Sequence, residues 1–193
     1  MKFLFGLALA LLSLTALSEE LRIEHNYLIK AERYEQFRAI LYKDDGSKQD
    51  VTAESQFRSN NGRERQNGEF YFSLPPFGSQ DRFSARIDVT YASDRGIQST
   101  GKSLMIDASP DSIYLWGMSI ARSGGFVSMR AEGLYNGRRV NLTQKGHWSA
   151  IYGRVNSWGQ YNAPYLRTQP SVYDSITFRF GLRSARHSIM VRK

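Results

Sequence analysis

Ten arginines lie between Ala108 and Lys193, and they are the residues in this chain best suited to recognition chemistry. A guanidinium group grips phosphate or carboxylate through two parallel hydrogen bonds, so several on one sheet face would suit an anionic partner. In "SITFRFGLR", Arg179 and Arg183 have the parity opposite to Phe178, Phe180 and Leu182, so they are expected to share the outward face of a strand. Arg154, Arg167, Arg186 and Arg192 flank aromatics or strands in the same half, and Arg138 and Arg139 sit in a turn. Tyr161, Tyr165, Tyr173 and Trp158 fall in the long connection between Trp148 and Asp174, whose mix of aromatics and arginine is that of a contact surface. Arg179, Arg183, Arg154, Arg167, Tyr161 and Tyr165 are therefore the candidate ligand-binding residues. The bland reading of the same charge is that it keeps a domain soluble.

No other site chemistry is spelled out. His25, His147 and His187 stand apart, without a His-x-His or HExxH pattern or a carboxylate cluster, so neither a catalytic nor a metal-binding role is expected of them. No serine lies in a Gly-x-Ser-x-Gly elbow. Asp44 and Asp45 precede Gly46 in a turn, without the alternating ligands of a calcium loop. Asn141, Leu142 and Thr143 fit a glycosylation sequon, but the repeat described below explains the same residues. The absence of cysteine excludes disulfides, thiolate nucleophiles, thiolate metal sites and lipid attachment through an N-terminal cysteine. The chain is thus expected to be non-enzymatic and to carry no cofactor.

"MKFLFGLALALLSLTALSEE" has a basic start, an apolar run from Phe3 and small residues around Leu17, so residues 1–18 are expected to be a secretory signal peptide. The run is shorter than the ~20 apolar residues that span a bilayer, and no later stretch is long and apolar enough to do so. The expected location is therefore outside the cytoplasm, either periplasmic or extracellular, including the cell surface. The net charge of +8 is unevenly placed. Residues 19–107 hold 13 Lys and Arg against 15 Asp and Glu, whereas residues 108–193 hold 12 against 3. Such asymmetry points to a partner more than to a fold.

These residues sit in a chain that repeats itself. "YKDDGSKQDVT" returns as "LYNGRRVNLT": Gly46 matches Gly137, Val51 matches Leu142 and Thr52 matches Thr143, and the series continues through Phe57 with Trp148 and Gly68 with Gly159. Farther on, Asp81 is expected to match Asp174, after a drift of two positions. In "RFSARIDVTY" apolar and polar residues alternate with period 2, the pattern of a strand with one buried face. Other short strands are separated by Asp-Asp-Gly, Asn-Gly, Pro-Pro and Ser-Gly-Gly turns, and no helical period is sustained after residue 18. The expected fold is all-β, two tandem immunoglobulin-like β-sandwich domains over residues 19–107 and 108–193, joined near "DASPDS".

The order Tyr, "DGS", "DVT", aromatic, "NG-x-F" in the first unit, and "NGRRVNLT", Trp148, "GQYNAP" in the second, resembles the bacterial immunoglobulin-like (Big) domain family. Phe57 stands where the family's tryptophan is usual, Asn136 replaces the turn aspartate, and "SLPP" matches the Ala-Pro only loosely. The resemblance implies adhesion or attachment in a bacterial cell envelope. With the basic second half it points to an anionic envelope polymer, a lipid head group or an acidic protein surface as partner. Nucleic acid is not the expected ligand, because an exported chain rarely meets it and no stacking platform is evident. The competing reading is a structural spacer, or a subunit of a periplasmic or surface assembly.

Overall fold

The computed structural model describes residues 19–25, 28–75 and 81–193, so the leader expected over residues 1–18 lies outside the described residues. The first unit contains β1 (Glu20–His25), β2 (Ile29–Lys30), β3 (Tyr34–Tyr42), β4 (Lys48–Asp50), β5 (Gln56–Ser59), β6 (Gly62–Gln66), β7 (Glu69–Phe72), β8 (Arg82–Ser93) and β9 (Gly96–Asp107). One sheet runs β1-β3-β7-β6 with β4 on the end of β3, and the other runs β2-β9-β8-β5. This is the ABED-against-CFG division of an immunoglobulin-like sandwich. The opening strand changes sheets midway: β1 pairs antiparallel with β3, whereas β2 pairs parallel with β9.

The second unit repeats that plan with β10 (Ser112–Trp116), β11 (Ile120–Arg122), β12 (Phe126–Ser128), β13 (Arg130–Tyr135), β14 (Arg138–Asn141), β15 (His147–Ala150), β16 (Arg154–Val155), β17 (Gln160–Asn162), β18 (Ser171–Phe180) and β19 (Arg183–Arg192). Its sheets run β10-β13-β14, β12-β17-β16 and β11-β19-β18-β15. The strand equivalent to β3 is interrupted at Met129, which divides one sheet into two pieces. Strands pair only within their own unit among the described residues.

The repeated letters perform the same local task twice. Asp50 Oδ1 accepts the Thr52 amide at 3.0 Å, and Asn141 Oδ1 accepts the Thr143 amide at 2.9 Å. Each threonine then offers its hydroxyl oxygen to a strand amide, that of Ala39 at 3.0 Å and that of Ala131 at 3.1 Å. The Asx turn thus ties the edge segment to the central strand and satisfies a backbone donor there. Gly68 and Gly159 lie at φ +77° and +78°, and a Cβ at either would fall 2.6 or 2.3 Å from the carbonyl oxygen of Phe37 or Met129. Only glycine tolerates both the left-handed backbone and the close approach.

Phe57 pairs with Val89, and Trp148 pairs with Phe178, so the two aromatics hold equivalent places on β5 and β15. That register corrects one expected match. It aligns β8 with β18 at an offset of 89 (178 minus 89), which puts Asp174 in the place of Ala85 and leaves Asp81 outside the equivalence. Leu182, expected on an inward face, is exposed in the turn between β18 and β19.

In β8, Ala85, Ile87 and Val89 are buried while Ser84, Arg86, Asp88 and Thr90 point out, as the alternation requires. The main apolar cluster, with Phe37, Phe70, Phe72, Ile87 and Ile106 at its centre, does not stop at Asp107. It continues through Ala108 to Ala131, Tyr135, Leu142, Phe178 and Phe180 of the second unit. A smaller cluster around Tyr161, Ile176, Ile189 and Val191 fills the far part of that unit. Polar contacts reinforce the junction: Tyr135 Oη donates to the Ala108 carbonyl at 2.7 Å, Lys145 Nζ to the Pro75 carbonyl at 2.6 Å and Lys30 Nζ to Asp111 at 3.2 Å.

Candidate functional site

Pairing along β11-β19-β18-β15 fixes which side chains share the outer face of that sheet. Arg179 lies between His147 on β15 and Ser184 on β19, Thr177 between Ser149 and Arg186, and Tyr173 beside Met190, which in turn neighbours Ile120. Ser171, Arg192 and Arg122 close the far end. The inner parity of the same strands holds Trp148, Phe178, Ile176 and Ile189. A rise of about 3.4 Å per residue and a strand spacing of about 4.8 Å put Arg186 roughly 8 Å from Arg179 and roughly 20 Å from Arg192. Between these cations the floor is hydroxyl-rich, with Ser149, Ser175, Thr177, Ser184 and Ser188.

No acidic residue stands beside these cations in the register of the sheet. Among the described residues, no ion pair reaches Arg122, Arg179, Arg186 or Arg192. Three arginines elsewhere in the second unit are used differently. Arg130 and Arg139 both pair with Glu132, at 2.7 and 3.5 Å, and Arg139 also lies over the rings of Tyr114 and Trp116, 5.4 and 5.5 Å from their centroids. Arg138 donates to Tyr71 Oη across the junction at 3.1 Å. The equivalent face of the first unit is balanced, because Arg86 Nε meets Asp88 Oδ1 at 2.8 Å, and the register puts Thr177 in the place of Asp88.

The six residues expected to bind ligand do not converge. Arg179 is on the sheet face, but Arg183 pairs with Phe180 across the β18–β19 turn and so has the opposite parity. The strand assumed to continue to Arg183 is broken at Gly181, where φ is +57°. Arg154 projects from β16 beside Asn162, with Phe126 on the far side of β17, and Arg167 and Tyr165 belong to the connection after β17. Tyr161 is fully buried, with its hydroxyl donating to Asp174 at 2.7 Å, so it is part of the interior and not of a binding surface.

Asp174 is a buried carboxylate with four donors. Its Oδ1 accepts the amides of Ile151 and Tyr152 at 3.0 and 3.1 Å, and its Oδ2 accepts the Gly153 amide and Tyr161 Oη, both at 2.7 Å. Burial alone would raise the pKa, but the Tyr161 hydroxyl and the three amides outweigh it and hold the carboxyl below its ordinary value. The loop after β15 is thereby fixed, with Ile151 and Tyr152 turned to solvent. No sequence motif announces this, because the three amides carry no side-chain signature. At the junction, burial and the hydrogen bond to Glu32 push Tyr71 up to about 12. Among the described residues, no three His, Asp or Glu side chains group closely enough to hold a metal ion.

No family model matches the chain, and no curated protein matches it in sequence. Among solved structures, extracellular domains 3–5 of Drosophila OTK are similar over 89% of this chain and 61% of that one, at 9% identity and a TM-score of 0.34. This chain therefore spans less than two thirds of the OTK structure. The amphioxus IgVJ-C2 molecule is similar over 90% of this chain and 97% of its own, at 12% identity and a TM-score of 0.33. The structure titled "Anomalous substructure of Titin-A168169" is similar over 91% and 96%, at 10% identity and a TM-score of 0.42. No helix of the described residues is long and apolar enough to cross a membrane.

Proposed function

We propose that this chain is an exported, non-enzymatic binding protein of two bacterial immunoglobulin-like domains, and that the second contacts an anionic polymer of the cell envelope through its arginine-bearing sheet face. The observation that carries this reading is that Arg122, Arg179, Arg186 and Arg192 lie on one face with no carboxylate beside them, whereas the first unit neutralises the same face with Asp88. An unpaired guanidinium on a flat hydroxyl-rich floor is hydrated and available, and its bidentate geometry matches phosphate, sulfate or carboxylate. Spacing over several strand rows favours an extended polymer over a small anion. Export rests on the leader pattern of residues 1–18.

Binding to dextran sulfate and polygalacturonate, with uncharged dextran as control, tests the reading. Affinity for the charged polymers should fall steeply as salt rises past about 0.1 M, where the screening length is about 10 Å. The pair Arg179→Glu and Arg186→Glu should abolish it while leaving the melting temperature nearly unchanged, since neither side chain is part of the core. A spacer or assembly subunit would behave otherwise, with its associations unaffected by this charge reversal and no polymer bound.

A further inference from the structure

The end of the second unit farthest from the junction has a covered counterpart in the first. There, Glu32 turns at φ +61° and accepts the Leu74 amide at 2.9 Å, while Leu74 is only 6% exposed within the apolar cluster that crosses to the second unit. In the second unit, Gly124 makes the same turn at φ +71°, Leu166 takes the place of Leu74 by donating its amide to Ser123, and the ring of its neighbour Tyr165 lies against Gly124. Tyr165 is 82% exposed. Phe126, at the start of β12, and Ile151 and Tyr152, in the loop after β15, are 69, 67 and 59% exposed.

These loops are held in place. Ser123 donates its amide to the Arg192 carbonyl at 2.6 Å, Leu166 donates its amide to Ser123 Oγ at 2.7 Å, and Ala163 donates to the Gly125 carbonyl at 2.9 Å. Asp174 fixes residues 151–153 from inside. Around the apolar tips stand the exposed cations Arg122, Arg154, Arg167, Arg192 and Lys193. Asp174 is buried, and the other two acidic residues of this unit lie elsewhere, Asp111 at the junction and Glu132 between Arg130 and Arg139.

We infer that this end is a membrane-contacting tip, in which Phe126, Ile151, Tyr152 and Tyr165 enter the headgroup boundary of a bilayer while the surrounding cations meet anionic lipid phosphates. Apolar and aromatic side chains with a rim of Arg and Lys are the composition that binds peripherally to anionic membranes, and tyrosine suits the interface because one end is apolar and the other polar. A lipid surface fits better than an acidic protein. The apolar groups protrude from three separate segments of the chain, so a fluid interface can take them without matching a fixed shape. The tip shares Arg122 and Arg192 with the sheet face, but its apolar residues and Arg154 and Arg167 lie off that face, and its partner is a different one.

Sedimentation of the chain from Glu19 onward, which holds both sandwiches, with vesicles of phosphatidylcholine and phosphatidylglycerol in equal parts tests the tip, with phosphatidylcholine alone as control. Only the anionic vesicles should bind, and Arg154→Gln or Arg167→Gln should each weaken binding about fivefold. Tyr165→Ser combined with Phe126→Ser should weaken it about tenfold or more without lowering the melting temperature. A Tyr165→Trp reporter should shift its fluorescence to the blue on binding. Absence of binding to the anionic vesicles would overturn the tip. Binding that survives the tip substitutions but is lost with Arg179→Glu and Arg186→Glu would also overturn it, while leaving the sheet-face reading standing.

Discussion

Asp174 illustrates how a single buried residue can set the shape of a surface it never reaches. Its two oxygens hold three consecutive amides and a tyrosine hydroxyl, so replacing one oxygen by an amide nitrogen sets donor against donor in a buried site. Asp174→Asn is expected to cost about 3 kcal/mol in urea unfolding. Because the folded carboxyl lies below its ordinary value, its stabilising contribution is complete above about pH 5 and is lost as pH falls through the lowered value. The variant should accordingly lose less stability than the native chain between about pH 5 and pH 3, and an equal loss in both would refute the assignment.

The repeated Asx-turn and threonine unit does for whole strands what Asp174 does for one loop. Thr143→Val keeps the volume but leaves the buried Ala131 amide without its acceptor, and an expected loss of about 1–3 kcal/mol should be largely recovered by Thr143→Ser. This element was readable in advance because its function is local: the Asx residue, threonine, turn glycine and following aromatic occur within a short, gap-free span. The sheet face was only half readable. Strand parity placed Arg179 outward, but the turn at Gly181 put Arg183 on the other parity, and the turn position was masked by the apolar Leu182 continuing the alternation. Tyr161 was misplaced for a related reason. Its partner Asp174 lies thirteen residues away across the sandwich, and no spacing rule links a loop tyrosine to an acid substituted into a position where the first unit has Ala85.

For the whole molecule, the decisive feature is that the larger apolar cluster crosses from one sandwich to the other. Leu74 belongs to the first unit by chain position but to the shared interior by contact, and Leu74→Ala is expected to cost about 2–5 kcal/mol. Heat unfolding should show one transition in which both units lose structure together, with the calorimetric and van't Hoff enthalpies equal. Two resolved transitions, only the first shifted by Leu74→Ala, would show that the junction does not couple them.

The switch of the opening strand between sheets places β2 alongside β9, and β11 alongside β19, in parallel. Tension drawn along the polypeptide pulls the two members of each such pair in opposite directions down their common axis. The hydrogen bonds joining them are then sheared side by side and share the load, instead of peeling apart one after another.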